Sequence, residues 1–450
     1  MKLATSLTLF TAVLAAPLAA PAPDVAPAVA EGSASAAYSA ILSVVSKQSS
    51  KFSALQKREL DEEDRYIVVF DSEASVEQIA AEIAKLDALV DQESSNGITS
   101  ALDLSAYNDG SGFLGFVGKF NSTIVNQLNQ SPILTVEQDT YVPEPKFFAE
   151  PVLDKRAIET DENSPNWGLG RISHKQFQGE GNETYVRETT AKHSTVAYVV
   201  DSGVRITHEM FQGRAVWGAN LLDDIDEDLK GHGSHVAGTL GGKDYGVDVN
   251  TKIVAVKVFG ANGGGPQSVV NAGFTWALND FIKNRNTVPR GVLNYSGGGS
   301  VLASQDVILA RAVKEGLVVV TSAGNDAKDA CTDGPANNGA KTHGFITVAS
   351  LNEHNVNAYD SNWGTCVDVW APGSKIPSAS HKSDTGIVIM RGTSMASPHV
   401  AGLATYYMSI SDKTLSPGEV EDLITKSNTD VLTFDLKGSP NAVAYNGNGQ

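Results

Sequence analysis

The spacing of apolar residues changes several times along this 450-residue chain, and the changes divide it. Lys2 precedes a short apolar stretch over 7–16, and small alanines follow. That stretch is too short to span a bilayer and has the form of a secretory signal, expected over 1–15. Alanine and proline dominate 17–30, and the pro-segment 16–64 shows no pattern that builds a core. A structured unit is expected over 65–142. Residues 65–70 read as a strand, and Ser75 stands where it would cap a helix reaching residue 86. Val76, Ile79, Ala80, Ile83 and Leu86 fall on one face of that helix. A strand over 115–120, a short helix over 122–128 and a last strand over 133–142 follow. This alternation predicts a small α+β, ferredoxin-like domain.

Prolines 143, 145 and 151 interrupt the next stretch, a linker over 143–156 that closes on Lys155-Arg156. Beyond it the period changes. The continuous apolar runs at 253–259, 317–320 and 345–349 read as strands buried on both faces. They alternate with helical stretches at 268–282 and 306–314. The expected fold of 157–450 is α/β, a doubly wound parallel sheet with its site at the carboxyl ends of the strands.

Three segments of that unit carry candidate chemistry. Ser394 lies on a glycine turn (Arg391-Gly392-Thr393-Ser394) just ahead of an apolar helix, where unpaired backbone N–H groups favour a developing oxyanion. A serine hydroxyl needs a base, and the base needs a group to orient it. His232, in Gly231-His232-Gly233-Ser234-His235, and Asp201, which ends the apolar run 196–200, supply both. Each alone has an ordinary reading: a helix cap for Ser394, a loop histidine for His232 and a turn aspartate for Asp201. Together, aspartate at a strand end and histidine and serine at two helix starts follow the chain order Asp, His, Ser of one known form of the serine triad. His235 and His399 fall inside the helical segments and are expected to be packed or hydrogen-bonded.

These motifs resemble those of subtilisin-type serine proteases, and among them the proteinase K branch. Trp167-Gly168-Leu169-Gly170-Arg171-Ile172-Ser173-His174 resembles the start of mature fungal enzymes of that branch, and Ser322-Ala323-Gly324-Asn325 the segment carrying the oxyanion-hole asparagine. The resemblance implies a secreted serine endopeptidase of broad specificity, made as a zymogen and working through an acyl-enzyme. Ser394 would be nucleophile, His232 general base and acid, Asp201 its orienter, and Asn325 an oxyanion donor. Ser296, Gly297 and Gly298 would form an edge for an extended peptide, with Ser322, Ala323 and Gly324 as the facing wall of the first specificity pocket. Leucine is usual at the position of Gly297. Ser202 and Ser234 stand where threonine is common and keep the hydroxyl. Residues 65–142 resemble the family's inhibitory propeptide. Catalysis requires no cofactor. Asp368 matches an aspartate that serves a structural calcium in proteinase K, with carbonyls around His343 and Phe345, and no metal ligand is assigned.

Composition narrows the partners. The chain has 34 Lys+Arg against 52 Asp+Glu, a net charge of −18, which disfavours nucleic acid and anionic lipid. No stretch has the length of a membrane anchor. The expected partners are protein and peptide substrates and the chain's own propeptide, with the enzyme a monomer. The acidic run 223–228 reads as a solvated face. Residues 16–23 divide into pairs ending in Pro or Ala, either substrates for stepwise dipeptide trimming or a flexible spacer. Cys331 and Cys366 are either one bridge or two inert buried thiols. Proteinase K relatives bridge matching positions, so the resemblance implies a disulfide. Asn121 and Asn182 head glycosylation sequons. The sequon at Asn294 is put against the substrate groove by the resemblance. Vacuolar residence is the alternative to secretion. An inactive scaffold is disfavoured by the complete triad, and a dibasic-processing enzyme by the short tail, 403–450, where such enzymes carry a further β-domain.

Overall fold

The structure, a computed structural model, describes residues 39, 43–44, 64–71, 74–90, 97–103, 114–149, 166–179, 184–188 and 190–449. The expected signal, the Ala/Pro-rich segment, the dibasic pair, residue 157 and Asn182 lie outside the described residues.

The N-terminal unit runs β1 (Arg65–Phe70), α1 (Val76–Val90), β2 (Gly97–Asp103), β3 (Leu114–Lys119), α2 (Ser122–Leu128) and β4 (Leu134–Gln138). Its sheet is antiparallel in the order β2-β3-β1-β4, the ferredoxin-like arrangement expected. Strand β1 shows why its sequence is apolar throughout. Val68 and Phe70 pack with Ile79, Ile83 and Leu86 of α1. Ile67 and Val69 face the other way and join Val117 in a core shared with the C-terminal unit. Alternation along a strand thus serves two cores rather than one core and water. Helix α1 continues four residues past Leu86, because Val90 extends its buried stripe. Strand β2 was not expected. It is an edge strand, rich in polar residues and shifted in register between Ile98 and Ser100.

The C-terminal unit opens on a short helix, α3 (Trp167–Ile172), and is built on seven parallel strands. They are β7 (Val196–Asp201), β8 (Ala215–Asn220), β9 (Lys252–Lys257), β11 (Gly291–Tyr295), β12 (Leu317–Ser322), β13 (Phe345–Leu351) and β14 (Val369–Pro372). Their order is β14-β13-β12-β11-β7-β9-β8. Residues alternate between two cores here too. Ala197, Val199, Val318 and Val320 meet α4 (His232–Gly241) and α7 (Thr393–Ile410). Tyr198, Val200, Leu317 and Val319 meet α5 (Gln267–Asn284) and α6 (Ala303–Lys314). The order reverses direction between β11 and β7, so the crevice at their carboxyl ends is the position such sheets offer a ligand. Cys331 and Cys366 are joined in a disulfide across 35 residues of sequence.

The expectation of one strand over 133–142 needs correction. Strand β4 stops at Gln138, and Tyr141–Val142 forms a separate strand, β5, antiparallel to β10 (Gly265–Pro266) of the C-terminal unit. Asp139 makes the change of sheet. Its carboxylate accepts from the Ser268 N–H (2.8 Å) and hydroxyl (2.7 Å) and pairs with Arg65 (3.0 Å), turning the chain from one unit onto the other.

Candidate active site

Asp201 is the last residue of β7 and is fully buried. Both its carboxylate oxygens lie on His232 Nδ1, at 2.8 and 2.9 Å, and the Ser202 N–H donates to it at 2.7 Å. His232 is the first residue of α4. The glycines around it serve close approach: a Cβ at Gly233 would lie 2.1 Å from the Gly203 carbonyl oxygen, and Gly231 has φ +93°. Helix α4 has no side-chain cap at Gly231 itself. Its N-terminal donors go instead to Asp228 and Ser202. The buried Asp228 carboxylate accepts from the N–H of Gly231 (2.7 Å) and Ser234 (2.9 Å) and from the hydroxyls of Ser234 (2.6 Å) and Ser202 (2.8 Å). The Ser202 hydroxyl in turn accepts from the Gly233 N–H at 3.0 Å. Asp228 belongs to the acidic run read as a solvated face, and for this member that expectation fails. A buried carboxylate persists because helix-start donors and two hydroxyls replace its water. Asp223 of the same run is tied to the buried Lys257 ammonium, at 3.0 Å.

Ser394 is the second residue of α7, entered through Gly392 at φ +142°. Its hydroxyl donates to the Ser296 carbonyl at 3.2 Å, and the Ser296 hydroxyl donates to the Ser394 carbonyl at 3.0 Å. His232 Nε2 is buried and without a hydrogen-bond partner among the described residues. Aspartate and histidine are thus paired, while the serine hydroxyl is engaged with the Ser296 carbonyl. Asn325 follows the Ser322-Ala323-Gly324 wall. Its Oδ1 accepts from the Thr393 N–H (2.8 Å) and hydroxyl (3.0 Å), which leaves Nδ2 as the outward donor.

The two walls inferred for the first pocket meet, with the Ser322 hydroxyl donating to the Gly297 carbonyl at 3.4 Å. Gly324 holds its turn at φ +102°, and its N–H donates to the Thr393 hydroxyl at 3.2 Å. A Cβ at Gly297 would lie 2.6 Å from the Tyr295 ring, so the buried tyrosine takes the space of a side chain there. That is the structural counterpart of the missing leucine. Gly298 stays open, its nearest neighbour being the Gly334 carbonyl at 3.7 Å from a Cβ.

The groove holds residues 146–149 of the chain's own linker. After β5, Asn325 Nδ2 donates to the Lys146 carbonyl at 2.7 Å, and Lys146 Nζ pairs with the Asp326 carboxylate. The Phe147 ring lies 4.8 Å from the His232 ring, centroid to centroid. Phe148–Ala149 (β6) then adds antiparallel to β16 (Ile387–Arg391), which also pairs with β15 (Ile376–Ala379). Asp326 and the Gly265–Pro266 edge are contacts that sequence reasoning missed. A lone aspartate after an asparagine and a Gly-Pro pair carry no local signal.

His235 and His399 are packed and hydrogen-bonded, as expected. His235 Nε2 lies 2.8 Å from the Ile376 carbonyl and His399 Nδ1 2.8 Å from the Met395 carbonyl. Burial depresses them, to about 3 and about 4. Asn121 caps α2, its Oδ1 accepting from Ile124 N–H at 3.0 Å. Asn294 is fully buried and bonded to Ser296 and Ser397, so no glycan fits it. The half-buried Asp368 carboxylate accepts from the N–H of Ala340 (3.2 Å) and Thr347 (2.7 Å). Desolvation, with the Glu421 charge adding to it, pushes this carboxyl up to about 7. Asp368 and Glu421 line one surface cleft, an oxygen donor set that fits a hard cation in kind. Among the described residues no three acidic, histidine or cysteine side chains gather into a metal cage, so a cation there would take its other ligands from carbonyls and water.

Residues 192–449 match the subtilase family, and residues 65–143 match peptidase inhibitor I9. The chain is 64% identical over 411 residues to the alkaline extracellular protease of Yarrowia lipolytica, covering 90% of this chain and 89% of that one. It is 36% identical to the cuticle-degrading serine protease of Arthrobotrys oligospora, over 85% of this chain and 90% of the relative. A solved structure of a cold-adapted subtilisin-like serine proteinase superposes with a TM-score of 0.57 at 34% identity, covering 63% of this chain and 99% of that one.

Proposed function

We propose, from the premise that the chain belongs to the subtilase family of serine endopeptidases, that it is a secreted alkaline protease of broad specificity whose peptide hydrolysis runs through Ser394, His232 and Asp201. The observation that carries the reading is the buried Asp201–His232 pair, with Asn325 aimed at a peptide carbonyl in the same groove. Asp201 fixes the imidazole with Nδ1 protonated, which leaves Nε2 to take the serine proton and later return it to the leaving amine. The hydroxyl attacks the carbonyl carbon, and charge gathers on an oxygen that Asn325 Nδ2 already contacts. One such donor is worth about 2.7–4 kcal/mol in the transition state, a value that comes from subtilisin itself. The reaction draws on side chains and backbone N–H groups alone and requires no cofactor.

The inhibitory unit over 65–142, the linker and the catalytic unit from 157 make the precursor a zymogen, matured by cleavage after Arg156 by a separate processing protease. The enzyme acts as a monomer, since one chain supplies every proposed catalytic group. A fluorophosphonate probe tests the reading. It is expected to label Ser394 in the processed protein and to fail on Ser394→Ala, His232→Ala and unfolded protein. Labelling that survives Ser394→Ala, or peptide hydrolysis that survives it, would overturn the assignment. Because the groups act as one unit, the double mutant of Ser394 and His232 should be no slower than either single one.

A further inference from the structure

We infer that the leaving-group side of the groove selects substrates with an aromatic residue at the second position after the scissile bond, stacking that residue on Arg391, and that Tyr359 holds Arg391 in place for it. The inference rests on the serine-protease reading and adds a substrate class and two specificity residues to it.

Residues 146–149 stand in for a bound peptide, and Asn325 sets their register. Its Nδ2 donates to the Lys146 carbonyl, which takes the place of the carbonyl under attack. Phe147, against the His232 ring, then occupies the first position of a leaving group and Phe148 the second. Phe148–Ala149 pairs antiparallel with Arg391 and Met390, on the edge of β16 that β15 leaves open. An added strand gains backbone hydrogen bonds whatever its sequence, so the choice among sequences falls to the side chains it meets. Phe148 stands directly opposite Arg391 in this pairing, so the two side chains share one face, while that of Ala149 points to the other.

Arg391 is arranged to take a ring rather than a carboxylate. Its guanidinium lies 4.0 Å from the Phe148 ring centroid and 4.8 Å from that of Tyr359, and it donates to the Tyr359 hydroxyl. No carboxylate pairs with it among the described residues, and its buried Nε makes no hydrogen bond there. A guanidinium is weakly hydrated and planar, and the negative face of an aromatic ring attracts it. Tyr359 is 66% exposed, so its ring contributes little to the core. What it does is restrict Arg391, whose long side chain would otherwise lose its rotamer freedom when a substrate binds. An aliphatic residue opposite Arg391 would keep the apolar contact and lose the attraction to the ring. A lysine there would meet a like charge.

The test reads leaving-side binding by acyl transfer. The processed enzyme forms its acyl-enzyme from the methyl ester of an acetylated alanine peptide, which carries no leaving-side residue. The amines Ala-Phe-amide, Ala-Leu-amide, Ala-Asp-amide and Ala-Lys-amide then compete with water, and chromatography gives the capture by each relative to hydrolysis. The phenylalanine amine should capture about twofold to fivefold more than the leucine one, the scale of a surface cation–π contact. Arg391→Met keeps an unbranched apolar stem and should remove that preference, and Tyr359→Ala should reduce it. Because each ratio is read within one enzyme, a lower fraction of active protein cancels, and melting in the Ser394→Ala background shows that each variant folds. Equal capture of the phenylalanine and leucine amines by the parent would overturn the proposal. So would a series led by the aspartate amine, which would make Arg391 an ion-pair partner, or a phenylalanine preference unchanged in either variant. A parent that hydrolyses no ester, or hydrolysis that survives Ser394→Ala, would overturn the protease reading with it.

Discussion

Replacing Asp228 with alanine should disable the site without touching any reacting group. Its carboxylate, 5% exposed, takes the N–H groups of Gly231 and Ser234 at the start of α4 and the Ser202 hydroxyl beside Asp201. Alanine strands two buried backbone donors, at about 1–3 kcal/mol each. A water entering the vacated space would serve part of that need, which puts the expected loss at about 2–4 kcal/mol. For a domain of this size that corresponds to a fall in melting temperature of about 3–6 °C. Activity should suffer more. The helix start that carries His232 is held to Ser202 through Gly233, and a shift of about an ångström costs on the order of a hundredfold in rate. The Asp228→Asn variant keeps one acceptor oxygen and should fall between. Melting is measured in the Ser394→Ala background, where autolysis is absent, and kcat/KM in the active one. Asp228→Ala melting within about 2 °C of its parent, or retaining full kcat/KM, would refute the claim that this carboxylate organises the base.

Three further outcomes are expected. Burial holds His235 near 3 and His399 near 4, well below an unfolded histidine, so the unfolded chain binds more protons as pH falls from about 6.5 towards 4. Stability from these groups is therefore complete above that window and is lost within it, at about 1.4 kcal/mol per pH unit for each, and His399→Gln should flatten the slope of urea-unfolding stability against pH; an unchanged slope would exclude His399 as a source. Removing the Cys331–Cys366 bridge by paired serine substitutions should cost about 3–4 kcal/mol for a loop of this length, and two thiols alkylated without reductant in native protein would contradict the bridge. If the cleft of Asp368 and Glu421 takes calcium, chelation should lower the melting temperature of the parent and not of Asp368→Asn, and equal melting of the parent with and without chelator would end that expectation.

What could be read from the chain and what could not divide along physical lines. The strand–helix alternation, the buried runs and the Asp, His and Ser segments announce themselves because each depends on residues adjacent in sequence. Asp326 and the Gly265–Pro266 edge did not, because their partners come from elsewhere in the fold, and Asp228 did not, because its place in an acidic run hides that it caps the start of α4 three residues on. The helix starts that receive the N-terminal unit show the difference most clearly. Helix α6 begins after Leu302, which offers no cap, and α5 begins after Pro266, which offers none either. By local rules both are poor starts. The structure supplies the caps from the other unit: the Glu137 carboxylate accepts from the Ala303 and Ser304 N–H groups at 2.6 and 3.2 Å, and Asp139 accepts from Ser268. Carboxylates at two helix N-termini also meet the positive ends of both dipoles. The N-terminal unit therefore completes helices that flank the parallel sheet, while its strand β1 lends Ile67 and Val69 to their shared core. An inhibitor that only blocked the groove would need none of these contacts. Contacts that finish the enzyme's own helices fit a unit that helps the sheet assemble first and occupies the groove afterwards.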